Sequence, residues 1–299
     1  MIQIGAAMNQ TRNFRTEYET FIQKYPYKTI DVNGIKVRYQ YGGKKDAPVL
    51  LFFHGLEMQE MWTAYAMHYE KDYRFLNYEY PLHTASIDKQ MEFAYALLQK
   101  LSISRVILIG ASDGGIHAQM FAKKYPAMVQ GMILMTTLTL DSDYCRHIKK
   151  EWLTCPMLLT ALRLTPAKKE MQLLLKKCDG FLTCEAPEDQ AYGRTFYETV
   201  ASNLHYKEKF IHSVKAVNEL KNCKLFTESD FAYLRGKVQV LLPEHDIFTK
   251  EDQDRLAALF RPLDAQILSV PGGHVGFIVQ ADAYLEKMDA FLKGHIVKD

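Results

Sequence analysis

Four branched apolar residues, Val106-Ile107-Leu108-Ile109, run into Gly110-Ala111-Ser112-Asp113-Gly114-Gly115, and a helical pattern over residues 116–125 follows until Pro126 ends it. An apolar strand, a G-x-S-x-G turn and an amphipathic helix in direct succession leave few folds open to the chain. Gly110 and Gly114 have no Cβ, so strand and helix can approach closely enough for a strained turn to lift the Ser112 hydroxyl over the sheet edge. Ser112 reads as a nucleophile on that turn. The plain alternative is a serine that caps the helix.

The surrounding pattern agrees with a layered α/β domain. Residues 13–25 form an amphipathic helix candidate ended by Pro26, and residues 27–32 and 35–41 are strands joined at Asn33-Gly34, a hairpin signal. The run Val49–Phe53 is apolar at every position, as a strand buried on both faces requires, and ends in His54-Gly55-Leu56. Residues 57–69 read as helix, 73–80 as strand, 88–101 as helix and 131–136 as strand. Alternation resumes with a strand at 237–242, a helix at 250–260, a strand at 265–270 and one helix over 275–292. Between these stretches, residues 144–162, 167–178, 189–204 and 209–220 have helical spacing. The fold class is therefore α/β, a mostly parallel doubly wound sheet, with residues 1–140 and 237–299 forming the core and 141–236 a helical cap inserted into it.

Composition narrows the partners. The 299 residues are 48% apolar and 24% charged with a net charge of +2, a balance that points to neither nucleic acid nor an acidic membrane surface. The first thirty residues have no apolar signal segment and no run is long enough to span a bilayer, so a cytoplasmic location is expected. Five cysteines, at 145, 155, 178, 184 and 223, are an odd number without a C-x-x-C pair, which predicts reduced thiols and no disulfide framework or zinc site.

A serine hydroxyl attacks only when a base takes its proton, and open α/β sheets gather ligand-binding groups at the carboxyl ends of their strands. Two residues qualify. His274 follows a strand through Pro271-Gly272-Gly273, and Asp246 follows another directly. His274 would accept the Ser112 proton while Asp246 holds its tautomer, in the chain order Ser, Asp, His. Asp141 or Asp143 is the rival acid. The backbone N–H groups of Asp113 and Leu56 are the expected oxyanion donors. His54, His117 and His245 read as structural or pocket-lining. No metal or organic cofactor is called for.

With HG at 54–55, GASDGG at 110–115, EHD at 244–246 and GGH at 272–274, the chain resembles the α/β-hydrolase superfamily over residues 27–292. The resemblance implies a serine hydrolase of carboxylesterase type that cleaves a small carboxylic ester through an acyl-enzyme on Ser112. A carbon–carbon bond hydrolase, a thioesterase or an acyltransferase would use the same three side chains. Haloalkane dehalogenase and epoxide hydrolase relatives need a carboxylate where Ser112 stands. Two finer likenesses diverge. GASDGGIHAQMFAKKYP is similar to the elbow of the valacyclovir hydrolase group, which has Asp after the nucleophile and cleaves amino-acid esters. YRFLNYEYP is similar to the maspardin-like branch, where Tyr-Pro replaces an Asp-x-Pro-Gly-x-Gly-x-Ser loop and catalysis is regarded as lost; here PLHTASI follows, with no G-x-G-x-S. That second likeness implies a non-catalytic binding protein, against which Asp246 and His274 stand. The Asp113 carboxylate is a candidate for selecting a cationic group such as an α-ammonium, or else a favourable charge at a helix N-terminus. The Met, Phe, Tyr, Cys and Trp152 of the cap predict an apolar wall for a modest acyl or alcohol group, unless they form the cap's own core.

Overall fold

The computed structural model describes residues 12–142, 155–203 and 205–296, so Asp143, Cys145 and Trp152 lie outside the described residues. Among the described residues eight strands form one sheet: β1 (Lys28–Val32), β2 (Ile35–Gly43), β3 (Val49–Phe53), β4 (Arg74–Tyr78), β5 (Val106–Ala111), β6 (Val129–Met135), β7 (Val238–His245) and β8 (Gln266–Gly273). Their order is β1-β2-β4-β3-β5-β6-β7-β8, with β2 antiparallel to β1 and β4 and every other pairing parallel. The β1–β2 hairpin turns on Asn33 and Gly34 at φ +54° and +84°, the two positive values a two-residue hairpin of this twist needs. Asp31 Oδ1 accepts the Gly34 N–H at 2.8 Å.

The pleat explains why β3 and β5 are apolar throughout. In β5, Val106 and Leu108 enter one core layer and Ile107, Ile109 and Ala111 the other. Helices α1 (Phe14–Lys24), α2 (Thr63–Tyr69), α3 (Ile87–Lys100) and α4 (Asp113–Lys124) come before β6. Between β6 and β7 the described residues hold helices α5 (Cys155–Leu164), α6 (Ala167–Phe181), α7 (Pro187–Ala201) and α8 (Tyr206–Glu219); after β7 come α9 (Lys250–Phe260), α10 (Gly276–Val279) and α11 (Ala281–Phe291). Met91 and Leu97 of α3, Phe121 of α4 and Phe260 of α9 pack on the Val106 side. Phe21 of α1, Tyr65 of α2, Phe277 of α10 and Tyr284 and Met288 of α11 pack on the Ile107 side. No described helix is long and apolar enough to cross a membrane.

Two expected elements differ. The helix expected at 57–69 starts later, as a 3-10 turn Gln59–Trp62 leading into α2, because Leu56 and Glu57 take φ +46° and +59° and cannot begin a right-handed helix. The single helix expected at 275–292 is broken between α10 and α11 at Gln280, whose backbone leaves the helical region at φ −118°, ψ +40°. There the Gln280 side chain donates to Glu185 Oε2 at 2.6 Å, and the Val279 carbonyl accepts from Arg12 Nη1 at 3.0 Å, which gives the interrupted helix other partners.

Candidate active site

Ser112 sits one residue past β5 at φ +56°, ψ −132°, a backbone conformation that a non-glycine residue adopts only when its surroundings impose it. The surroundings do so through absent side chains. A Cβ on Gly110 would lie 2.5 Å from the Gly114 carbonyl oxygen, and one on Gly114 would lie 2.2 Å from that of Phe53, so α4 can start directly behind the strand only with glycine at both positions. The Ser112 N–H donates to the Met135 carbonyl at 3.2 Å, and Thr137 Oγ1 donates to the Ser112 carbonyl at 2.5 Å. Although Ser112 is the cap residue of α4, its hydroxyl makes no capping bond. It lies 3.1 Å from His274 Nε2 instead.

The register of β7 and β8 brings the other two residues together. His245 pairs with Gly273, so the next residue on each strand, Asp246 and His274, projects from the same end of the sheet. His274 Nδ1 and Asp246 Oδ1 are 2.7 Å apart, with the Asp246 side chain 1% and the His274 side chain 10% exposed. Asp246 Oδ1 also accepts the Phe248 N–H at 3.3 Å. The imidazole lies edge-to-face with Phe248 at 5.2 Å and near Phe181 of α6 at 6.0 Å. A buried carboxylate on Nδ1 favours the tautomer whose Nε2 lone pair faces the serine. The rival acid Asp141 instead pairs with Arg255 Nε at 3.1 Å.

The remaining expected residues fall into two groups. His54 and His117 are buried and structural: His54 Nε2 meets the Tyr78 carbonyl at 3.1 Å, and His117 bridges the Asp113 carbonyl and Gln90 Oε1, both at 2.8 Å. Tyr80 stacks between them, at 3.9 and 4.8 Å. Burial lowers the pKa of both imidazoles, that of His117 to about 4. His245 is exposed. The Leu56 N–H, an expected oxyanion donor, donates to Asp113 Oδ1 at 2.9 Å. The Asp113 carboxyl thus lies across the loop between β3 and α2, and burial, reinforced by the Glu57 charge, pushes it up to about 7 against the opposing Leu56 hydrogen bond.

Several residues at the site had no signal in the sequence. The left-handed turn at Leu56-Glu57 is held from the inserted helices: Glu57 Oε1 and His212 Nδ1 of α8 are 2.7 Å apart, and His212 Nε2 donates to the Thr84 carbonyl at 2.7 Å. Because a carbonyl only accepts, Nε2 carries a proton, and a second proton lies between Nδ1 and Glu57. Ser112 and His274 open into a cavity of about 310 Å³ walled by Met58, Met61, Phe181, Phe210 and Phe277, with Asp113 and Lys177 among its other ionisable side chains. The apolar wall comes from both the sheet side and the inserted helices.

Comparison with known proteins agrees with this architecture. Residues 48–155 match the model of a family described as alpha/beta hydrolase fold. The structure is similar to MGS-M2, an alpha/beta hydrolase enzyme from a Medee basin deep-sea metagenome library, at 17% identity and a TM-score of 0.70, covering 91% of this chain and 99% of that one. It is similar to the enol-lactonase from Burkholderia xenovorans LB400 at 18% identity and a TM-score of 0.68, covering 89% and 100%. Likeness to naproxen esterase from Bacillus subtilis is 17% in identity with a TM-score of 0.61, covering 94% and 97%. No curated protein matches the chain. The chain has the α/β-hydrolase fold.

Proposed function

We propose that the protein is a serine hydrolase that cleaves a small carboxylic ester through an acyl-enzyme on Ser112. The observation that carries this reading is the unbroken series Ser112 Oγ, His274 and Asp246, at 3.1 and 2.7 Å, opening into an apolar cavity. In this reading His274 Nε2 takes the hydroxyl proton as Oγ bonds to the ester carbonyl carbon, and Asp246 stabilises the imidazolium. The tetrahedral intermediate collapses as Nε2 returns the proton to the departing alkoxide. Water then attacks the acyl-enzyme by the same route, giving the acid and free Ser112. The apolar wall favours an uncharged acyl or alcohol group of modest size. A carbon–carbon bond hydrolase, a thioesterase or an acyltransferase would share these groups and differ in what leaves or attacks.

A fluorophosphonate probe tests the nucleophile. Labelling at Ser112, with p-nitrophenyl acetate turnover falling by about 10³-fold or more in Ser112→Ala, is the expected result. Turnover that survives the substitution takes the nucleophile role from Ser112, and a protein that is neither labelled nor active overturns the reading in favour of a binding protein built on the same fold.

The oxyanion donors in this proposal are the N–H groups of Asp113, at the start of α4, and of Leu56. Since Leu56 already serves the Asp113 carboxyl, that carboxyl must yield the donor when the oxyanion forms. A substrate α-ammonium would draw it away and be recognised by it, which makes Asp113 a selectivity residue. Its pKa near 7 sets the sign: the charge is present above about pH 8 and lost below about pH 6, so preference for an amino ester should rise with pH through neutrality for as long as the amine stays protonated. Comparing an aminoacyl ester with its desamino analogue at pH 7.5, the ratio of kcat/KM is expected to fall about tenfold or more in Asp113→Asn, the worth of a charge-assisted hydrogen bond. Equal ratios in the two proteins would remove this role.

A further inference from the structure

The loop that carries His274 is tied to the inserted helices by one buried side chain. Glu185, 5% exposed, lies in the link between α6 and α7. Its Oε1 accepts the Gly273 N–H at 2.7 Å, immediately before His274, and its Oε2 accepts from Gln280 Nε2 at 2.6 Å, at the break between α10 and α11. One carboxylate thus holds both ends of the segment in which His274 sits. The pairing of Gly273 with His245 and the Tyr284 hydroxyl on the Pro271 carbonyl at 3.4 Å guide the segment up to His274, and Glu185 ties it to the inserted helices. Gly272 takes φ +84°, and a Cβ there would stand 3.0 Å from both Glu185 oxygens, while a Cβ on Gly273 would lie 2.4 Å from Cys184 Sγ. Two glycines allow the cap link to lie directly on the loop, and they also leave the loop free to take other paths when that link is removed.

Glu185 is itself fixed. Its N–H donates to the Leu182 carbonyl at 3.0 Å, and its carbonyl accepts from Gln190 Nε2 at 2.9 Å. Phe181, four residues earlier, packs near the imidazole of His274 at 6.0 Å. Contact from the inserted helices therefore reaches the proposed base both through its backbone and through its ring.

We propose that Glu185 is a positioning residue for His274: by holding the Gly273 N–H it keeps the imidazole within reach of Ser112 and Asp246, so that docking of the inserted helices completes the site. The inference rests on the serine-hydrolase reading above. Glu185 touches no reacting atom. Its effect is on the rate of steps that need His274 and not on substrate binding, since a displacement of about 1 Å in a catalytic group can cost about 10²-fold in rate.

The test uses the full chain with p-nitrophenyl butyrate and a fluorophosphonate. Glu185→Ala is expected to lower kcat about 10²-fold with KM within about twofold, and to slow Ser112 labelling by the same factor as kcat. Glu185→Gln is expected to keep most of the activity, because its side-chain oxygen still accepts the Gly273 N–H and the Gln280 amide can turn to offer its oxygen to the new NH2. Glu185→Asp, one methylene too short, should lose about tenfold in kcat and in labelling with its unfolding midpoint close to wild type. It keeps the inference testable if the alanine variant does not fold. Wild-type labelling rates in Glu185→Asp, or equal losses in the Gln and Asp variants, overturn the inference alone. An unlabelled wild-type protein overturns the serine-hydrolase reading, and the inference with it.

Discussion

Replacing Asp246 with asparagine is expected to lower kcat about 10⁴-fold at neutral pH while the protein stays folded. The carboxylate lies 2.7 Å from His274 Nδ1 and can only accept, so Nδ1 carries the proton and Nε2 presents its lone pair to Ser112. A carboxamide can offer its NH2 to Nδ1 instead. That reverses the tautomer, puts the imidazole proton on Nε2, and leaves Ser112 without a base. The Phe248 N–H donates to the same oxygen at 3.3 Å and is the longer contact, which such a turn gives up. Asp141→Asn is the control, because Asp141 faces Arg255 at 3.1 Å; its kcat is expected to stay within about twofold of wild type. Turnover of p-nitrophenyl acetate between pH 7 and 9, with circular dichroism of each variant, decides the matter. An Asp246→Asn protein within tenfold of wild type, or a larger loss in Asp141→Asn, would give the acid role to another residue.

How these groups meet was partly legible because the relevant constraints are local. Gly110 and Gly114 are forced by contacts within one strand–turn–helix unit, so the spacing alone announces where Ser112 stands. Asp246 and His274 each follow an apolar run, and parallel strands put both at one end of the sheet; that they are neighbours depends on the His245–Gly273 register, which spacing does not reveal. The partners that were not legible act across long separations. Glu185 reaches Gly273 over 88 residues, and His212 reaches Glu57 over 155. Glu185 lies in a short link between two helices and His212 on a helix whose spacing reports only an amphipathic face, and in either place one glutamate or histidine looks like any other polar residue. The helix expected at 57 failed for the same reason. Helix propensity says nothing of a histidine on α8 that captures Glu57, nor of Asp113 taking the Leu56 N–H, and those contacts hold two consecutive non-glycine residues at positive φ. Gln280 broke an amphipathic pattern that was otherwise continuous because its side chain is needed at Glu185.

The end of the tyrosine-rich segment over β4, which set one likeness apart from the other, owes its residues to packing. Tyr80 OH donates to the His54 carbonyl at 3.0 Å, and Glu79 collects Arg38, Lys209 Nζ at 2.7 Å and Gln59 Nε2 at 3.2 Å. Lys209 comes from α8 and its side chain is 5% exposed, so Glu79 anchors the inserted helices to the sheet through a buried charge. Burial works against the carboxylate, yet Arg38 and Lys209 outweigh it and hold Glu79 below its ordinary value of 4.5. Glu79→Ala leaves Lys209 with Gln59 Oε1, at 3.2 Å, as its remaining hydrogen-bond partner among the described residues, and is expected to cost about 3–5 kcal/mol in urea unfolding. Adding Lys209→Met should recover part of that loss, since removing the stranded charge is less costly than leaving it unpaired. The pH dependence has a defined sign. With the folded pKa depressed, the Glu79 contribution is present above the unfolded pKa and lost as pH falls through the folded one, so the gap between wild type and Glu79→Ala should narrow as pH falls below about 4. A loss under about 1 kcal/mol, the range of an exposed pair, would mean that Lys209 finds water on its own and that the inserted helices are held by their apolar faces alone.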